Sequence, residues 1–303
     1  MGSHVPLQSA YLAPPYLPGS YLVLELTNLC SLRCVHCAVA EDAHPHQAVT
    51  GMMAPAIFES IIDDLVQVGG RFDSLVLFWL GEPLLHPFFD RLRRHALRAA
   101  VKHRVFNRVE VHTNGTHLTS RRVAALLNEA EVPQVLHFSL DAIRAATYAR
   151  LKGFDRYAKV QENIEHFMAE KTRQGARWPR PVFQFIVGSN NVAEATQFRT
   201  HWEAVCRRLG HPVRVAAGQV PPGEDAVVFF RQLDCPTPEL QELENAVFRE
   251  EMVAQGLSLP SSANRGRTVK AENLAPCSGF WKSPVVGVRG ELTTCTLDSQ
   301  FKN

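Results

Sequence analysis

The chain has 303 residues, 46% of them apolar and 20% charged, with a formal net charge of +2. That is ample for a full hydrophobic core, and no apolar run approaches the ~20 residues that span a bilayer. The near-neutral, interspersed charge excludes a basic nucleic-acid face as the organising feature, and Arg91-Leu92-Arg93-Arg94 reads as a solvated helix face.

Residues 1–19 carry Pro6, Pro14, Pro15 and Pro18 and little periodicity, and read as an irregular arm. An alternation follows. Tyr21–Leu26 is an apolar strand. Met53–Val68 is a helix, with Pro55 in its first turn, Ile57, Ile61, Leu65 and Val68 on one face, and Gly69-Gly70 as its stop. Leu75–Leu80 has the length and continuous apolarity of a parallel strand buried on both faces. Helices at Phe88–Val101, Thr119–Glu129, Arg144–Arg150, Tyr157–Arg173 and Glu194–Leu209 alternate with strands at Val109–Thr113, Val135–Leu140, Val182–Val187 and Val213–Ala216. This order predicts an α/β chain: a parallel sheet with helices outside, closing part-way as a (β/α)6 barrel over residues 20–217. In such barrels chemistry sits at the C-terminal ends of the strands. Past residue 217 come a Gly- and Pro-rich stretch (Gly218–Gly223), a helix (Pro238–Gln255), a polar stretch (Ser258–Lys270) and a short hairpin around Gly290.

Seven cysteines stand at 30, 34, 37, 206, 235, 277 and 295. Three crowd directly after the first strand, in Cys30-Ser31-Leu32-Arg33-Cys34-Val35-His36-Cys37, and the N-terminus carries no secretory pattern. Crowded thiols in such a chain point to metal or redox chemistry and a cytoplasmic setting rather than a disulfide scaffold. Three thiolates on one loop suit three corners of an iron–sulfur cube, leaving one iron open. A zinc site completed by His36, His44 or His46 is the competing reading, and would make the chain a zinc-stabilised binding protein without catalysis. Cys206 sits in an amphipathic helix and reads as a core thiol.

Cys-x3-Cys-x2-Cys after the first strand of a partial barrel resembles the signature of the radical S-adenosylmethionine (SAM) superfamily. The resemblance implies a [4Fe–4S] cluster on Cys30, Cys34 and Cys37 whose open iron chelates SAM. It further implies reductive cleavage of SAM to a 5′-deoxyadenosyl radical and abstraction of a hydrogen atom from a substrate, with electrons from a donor such as flavodoxin or ferredoxin. Three more strand ends carry similar motifs. Gly81-Glu82-Pro83 resembles the family's SAM-ammonium segment, with Leu80 in place of its first glycine; Thr113-Asn114-Gly115 follows the third strand; Ser139-Leu140-Asp141 follows the fourth. By the same resemblance His36 lies against adenine, Ser139 meets the carboxylate end of SAM, and Arg150 pairs with that carboxylate. Asn191 is a further pocket candidate.

The tail, with Cys277, Trp281, Gly290, Cys295 and Asp298, resembles the start of a SPASM or twitch extension. There Cys277 and Cys295 would ligate an auxiliary [4Fe–4S] cluster. The extension is expected to be incomplete here, with remaining ligands beyond Asn303 or supplied by a residue such as Cys235. The chain thus divides into an arm (1–19), a core (20–217) and a linker helix with the extension (218–303). The substrate implied is a peptide or protein undergoing modification, or else a small sugar or aminocyclitol metabolite.

Overall fold

The computed structural model describes residues 18–37, 50–128, 132–235, 237–259 and 282–294. Cys277, Trp281, Cys295 and Asp298 lie outside the described residues, as do His44 and His46.

Among the described residues, nine strands form one sheet: β1 (Tyr21–Leu24), β2 (Phe72–Val76), β3 (Phe106–Thr113), β4 (Gln134–Ser139), β5 (Arg180–Val187), β6 (Val213–Ala217), β7 (Ala226–Gln232), β8 (Val285–Val286) and β9 (Leu292–Thr293). Their order across the sheet is β6-β7-β5-β4-β3-β2-β1-β8-β9. Every pairing is parallel except β8 with β9. The helices are α1 (Pro55–Val68), α2 (Phe89–His103), α3 (Ser120–Leu127), α4 (Ala145–Lys152), α5 (Tyr157–Gln174), α6 (Ala195–Arg208) and α7 (Pro238–Ala254). The sheet is the open, partial barrel that the alternation predicts. No described helix is long and apolar enough to cross a membrane.

Local chemistry sets the helix limits. Pro55 opens α1, where a missing N–H costs nothing, and Gly69 closes it in the left-handed region at φ 68°. Thr119 and Thr237 cap α3 and α7 by accepting from the N–H groups of Arg122 and Leu240. The helix-covered side of the sheet is aromatic. Phe183 stacks on Trp202 at 4.2 Å and on Phe138 at 5.8 Å, and Phe198 meets Phe185 and Phe230 edge-on. Cys206 is fully buried among these residues, as expected of a core thiol.

Two sequence expectations need correction. β2 begins at Phe72 and ends at Val76, so the apolar run continues past the ladder. The larger correction is β7, which the sequence reading passed over. It lies between β5 and β6, pairing Val182 with Val227 on one side and Val213 with Ala226 on the other. The division at residue 217 therefore falls inside the sheet. The stretch 218–225 is a helix-free crossover, held where the Arg180 guanidinium donates to the carbonyls of Asp225 (2.5 Å) and Pro221 (2.7 Å). At the opposite edge β8 continues the sheet beside β1. Gly290, at φ 90°, turns the chain from β8 into β9.

Candidate active site at the strand ends

The cysteine loop leaves β1 and is gripped by three other strand ends. Its first residues lean on the segment before α1. Thr27 Oγ1 donates to the Gly51 carbonyl at 2.7 Å, Gly51 N–H donates to Asn28 Oδ1 at 2.7 Å, and Met53 N–H donates to the Leu26 carbonyl at 2.8 Å. From the β2 end, Glu82 N–H donates to the Leu29 carbonyl at 2.8 Å. Gly81 lies so close that a Cβ there would sit 2.0 Å from the Thr27 carbonyl oxygen and 2.8 Å from that of Leu29. Glycine is required by backbone-to-backbone contact rather than by its own φ.

The β3 end supplies Thr113 and Asn114. Asn114 Nδ2 approaches Cys30 Sγ at 3.6 Å and Ser31 Oγ at 3.4 Å, while Thr116 and Ser31 share a hydrogen bond at 2.8 Å. Glu82 links β2 and β3: its carboxylate accepts from Thr113 Oγ1 (2.8 Å), Asn114 N–H (2.7 Å) and Leu84 N–H (3.0 Å). It is 2% exposed. Burial pushes it up to about 7 against these donors. The carboxylate is thus occupied as a clamp between strand ends, a use the sequence resemblance did not indicate.

The β4 end acts through α4. The last carbonyls of a helix have no partner within it; here Leu151 and Lys152 offer theirs to the N–H groups of Val35 and Arg33, each at 2.9 Å. Gly153, at φ 78°, lets Arg33 pass, since a Cβ would meet the Arg33 carbonyl at 2.6 Å. The start of α4 is fixed by Glu194, which accepts from the N–H groups of Ile143 (2.8 Å) and Arg144 (3.1 Å) and from Thr147 Oγ1 (2.5 Å). Beneath the loop lies an ion pair, Lys152 Nζ to Asp141 Oδ2 at 2.5 Å, both side chains at most 2% exposed. Burial disfavours both charges. Each partner outweighs this for the other, so Lys152 is raised and Asp141 lowered. Asp141 adopts φ 61°, its Oδ1 accepts from Ile186 N–H at 2.7 Å, and His36 Nε2 stands 3.7 Å from its Oδ2.

The remaining sequence candidates fall into place around this frame. Arg150 is exposed and donates to the Asn190 carbonyl at 2.8 Å. Asn191 is buried and engaged with Asp141, Ile186 and Gly188, so it braces the β5 turn rather than lining a pocket. Ser139 ends β4 opposite Gln184, partly exposed. Cys235 follows β7 and its backbone N–H donates to Gln241 Oε1 at 2.9 Å. The clamp pair Asp141 and Lys152 was not singled out from sequence, although Asp141 stands inside the Ser139-Leu140-Asp141 motif and Lys152 two residues after Arg150.

The donor set fits an iron–sulfur cube. Cys30, Cys34 and Cys37 are free thiols, partly exposed and therefore reachable. Leu32 N–H, at 3.4 Å, and Asn114 Nδ2 both point hydrogen-bond donors at Cys30 Sγ, which suits a thiolate ligand. Burial pushes the Cys30 thiol up to about 11, helped by the nearby Glu82, Cys34 and Cys37. Loading must therefore displace protons. Among the described residues, the three sulfurs are not gathered within 4.8 Å of one another. A tetrahedral zinc with ~2.3 Å bonds would need them about 3.8 Å apart.

The radical SAM superfamily model matches residues 24–192, more than half of the chain. The chain belongs to the radical SAM superfamily. It is thus a SAM-binding enzyme, and the family implies a [4Fe–4S] cluster, which replaces the zinc-stabilised binding protein as the reading of the cysteines. A curated relative, the tungsten-containing aldehyde ferredoxin oxidoreductase cofactor-modifying protein of Pyrococcus furiosus, is 29% identical over 181 residues, covering 57% of this chain and 45% of the relative. The chain therefore spans less than half of that relative. Among solved structures, SuiB of Streptococcus suis bound to precursor peptide SuiA superposes with a TM-score of 0.56 at 12% identity, over 93% of this chain and 61% of SuiB. Native anSMEcpe with bound AdoMet and Cp18Cys peptide gives 0.57 at 14% identity, over 93% and 74%. These likenesses are of fold.

Proposed function

We propose that this radical SAM enzyme abstracts a hydrogen atom from a peptide or protein substrate, with its cluster on Cys30, Cys34 and Cys37. The observation that carries the reading is the convergence of three other strand ends on the cysteine loop that leaves β1, those of β2 and β4 (through α4) holding it by backbone contacts and that of β3 by side chains. When loaded, the cluster supplies the electron for reductive cleavage of SAM. The chain's own residues fix the three thiols relative to the strand ends and keep Asp141 and Lys152 paired beneath them. Around this point we assign the SAM contacts to the Gly81-Glu82 backbone, Thr113, Asn114, Ser139 and His36. Arg150 would have to give up its bond to Asn190 to serve the carboxylate of SAM.

The peptide class is supported by two structures of similar fold, SuiB and anSMEcpe, that were solved with peptides. The second reading is a small metabolite of the sugar or aminocyclitol kind; the relative at 29% identity, named for modifying a cofactor, favours a small substrate without pointing to a sugar. The test is anaerobic turnover of cluster-loaded protein with SAM and a reductant, or with flavodoxin or ferredoxin as donor. Formation of 5′-deoxyadenosine is expected from the loaded enzyme and from none of the Cys30→Ala, Cys34→Ala or Cys37→Ala variants. A mass change in a peptide encoded beside the gene supports the peptide class; product only from small metabolites reverses it. We also assign Cys277 and Cys295 to an auxiliary [4Fe–4S] cluster. Iron clearly above ~4 per chain, part of it surviving in a Cys30/Cys34/Cys37 triple Ala variant, is the expected result.

A further inference from the structure

A second group of potential ligands stands on β3 and β4, just before the strand ends that adjoin the cysteine loop. Val109 and Val111 of β3, and Leu136 and Phe138 of β4, belong to the helix-covered core. Alternation along the strands turns Glu110, His112 and His137 to the other, concave side, where Val135, Val182, Val227 and Phe229 form a small apolar floor. The β3–β4 register sets His112 directly opposite His137.

Glu110 Oε2 stands 3.6 Å from His137 Nε2 and 3.9 Å from His112 Nε2, and one ligand atom from each residue falls within 4.8 Å of the other two. The imidazoles stack at 4.0 Å between centroids, and Phe78 covers His112 at 5.2 Å. Arg108 Nε donates to Glu110 Oε1 at 2.5 Å, so the carboxylate is held by one oxygen while the other faces the rings. His137 is 5% exposed. His112 Nε2 and His137 Nδ1 are both buried without a hydrogen-bond partner. A buried polar atom left unmatched costs about 1–3 kcal/mol.

We propose that Glu110, His112 and His137 form a site for a divalent transition-metal ion on the concave face of the barrel, sharing no ligand with the cluster. Two imidazoles and one carboxylate are the donor set of zinc and non-haem iron sites. A tetrahedral ion with ~2.1 Å bonds places its ligand atoms about 3.4 Å apart; the carboxylate-to-ring separations of 3.6 and 3.9 Å are close to this, and the stacked imidazoles, 22° from parallel, must turn apart on binding to aim both nitrogen lone pairs at one ion. Arg108 serves as the outer partner that orients the carboxylate. Three protein ligands leave a position open for a substrate oxygen, which the ion would polarise as a Lewis acid. The site does not depend on which substrate class is correct.

The experiment uses the full chain with its cluster loaded anaerobically, given one equivalent of Zn²⁺ and desalted. One zinc per chain should be retained with iron content unchanged. Zinc-edge X-ray absorption should show only nitrogen and oxygen neighbours at about 2.0–2.1 Å, with imidazole outer-shell scattering. His112→Phe, which keeps the stack on Phe78, and Glu110→Gln should each weaken zinc binding at least tenfold while circular dichroism and iron content stay as in the parent. His137→Gln is added as the buried member. Failure to retain zinc overturns the proposal. So do sulfur neighbours at about 2.3 Å, which would put the zinc on cysteines, and unchanged zinc affinity in the folded His112 and Glu110 variants.

Discussion

The two faces of the same strands are built from different materials. Toward the helices, β4, β5 and β7 present Phe138, Phe183, Phe185 and Phe230, which interlock with Phe198 and Trp202 of α6. Toward the concave side the neighbouring residues are Glu110, His112, His137 and Gln184, polar groups over a small apolar floor. One face holds the sheet by area; the other, with the rim above it, holds geometry by a few directed bonds. Stability and iron loading should therefore respond separately to substitution.

The sharpest contrast comes from Trp202, fully buried on the helix side. Trp202→Ala should lower unfolding free energy by about 3–5 kcal/mol, read by denaturant titration, while iron per folded chain stays at the parent level. At the rim, Asp141→Asn leaves Lys152 buried without its counter-charge. It should also cost about 3–5 kcal/mol, but with iron loading falling in step, because the α4 carbonyl end carries the cysteine loop. If Asp141→Asn loads iron normally, the rim and the core are not separable in this way. Gly81→Ala forces a methyl against the Thr27 carbonyl. About 1–3 kcal/mol of overpacking is expected, with a disproportionate loss of cluster absorbance after reconstitution.

The last comparison concerns pH. Glu25, 2% exposed, accepts from Leu80 N–H at 3.3 Å, and burial pushes it up from 4.5 to about 7. The folded chain keeps a proton there that the unfolded chain releases above 4.5. Its contribution is complete below pH 4.5 and is lost as pH rises through 7, a swing on the order of 3 kcal/mol at most. Glu25→Gln should flatten the fall in stability between pH 4.5 and 7, measured by chemical denaturation across that range. An unchanged slope would place the titrating group elsewhere.

Much of this was legible beforehand, for identifiable reasons. α1 and α7 show their limits in Pro55, Gly69 and Thr237, each acting on its own neighbours. The cysteine triplet is local too, and its placement after β1 follows from the alternation. What stayed hidden depends on distant parts of the chain. β7 was missed because parallel neighbours ordinarily need a helical crossover, and 218–225 contains none. Asp141 and Lys152 meet only because α4 folds back over the β4 end. Glu110, His112 and His137 meet only through the β3–β4 register, which no spacing in the sequence announces.

The position of β7 has a consequence in time. β6 touches the sheet only through β7, which is made after it and must slot in beside β5. On the ribosome, chain growth at roughly 5–20 residues per second means that β1 to β5 can pair while β6 waits as a tethered segment. The exposed edge of β5 stays open until residue 232 has emerged. A pause between residues 217 and 232 would therefore leave the nascent chain with its longest unpaired edge, and this is the interval in which a chaperone would matter most.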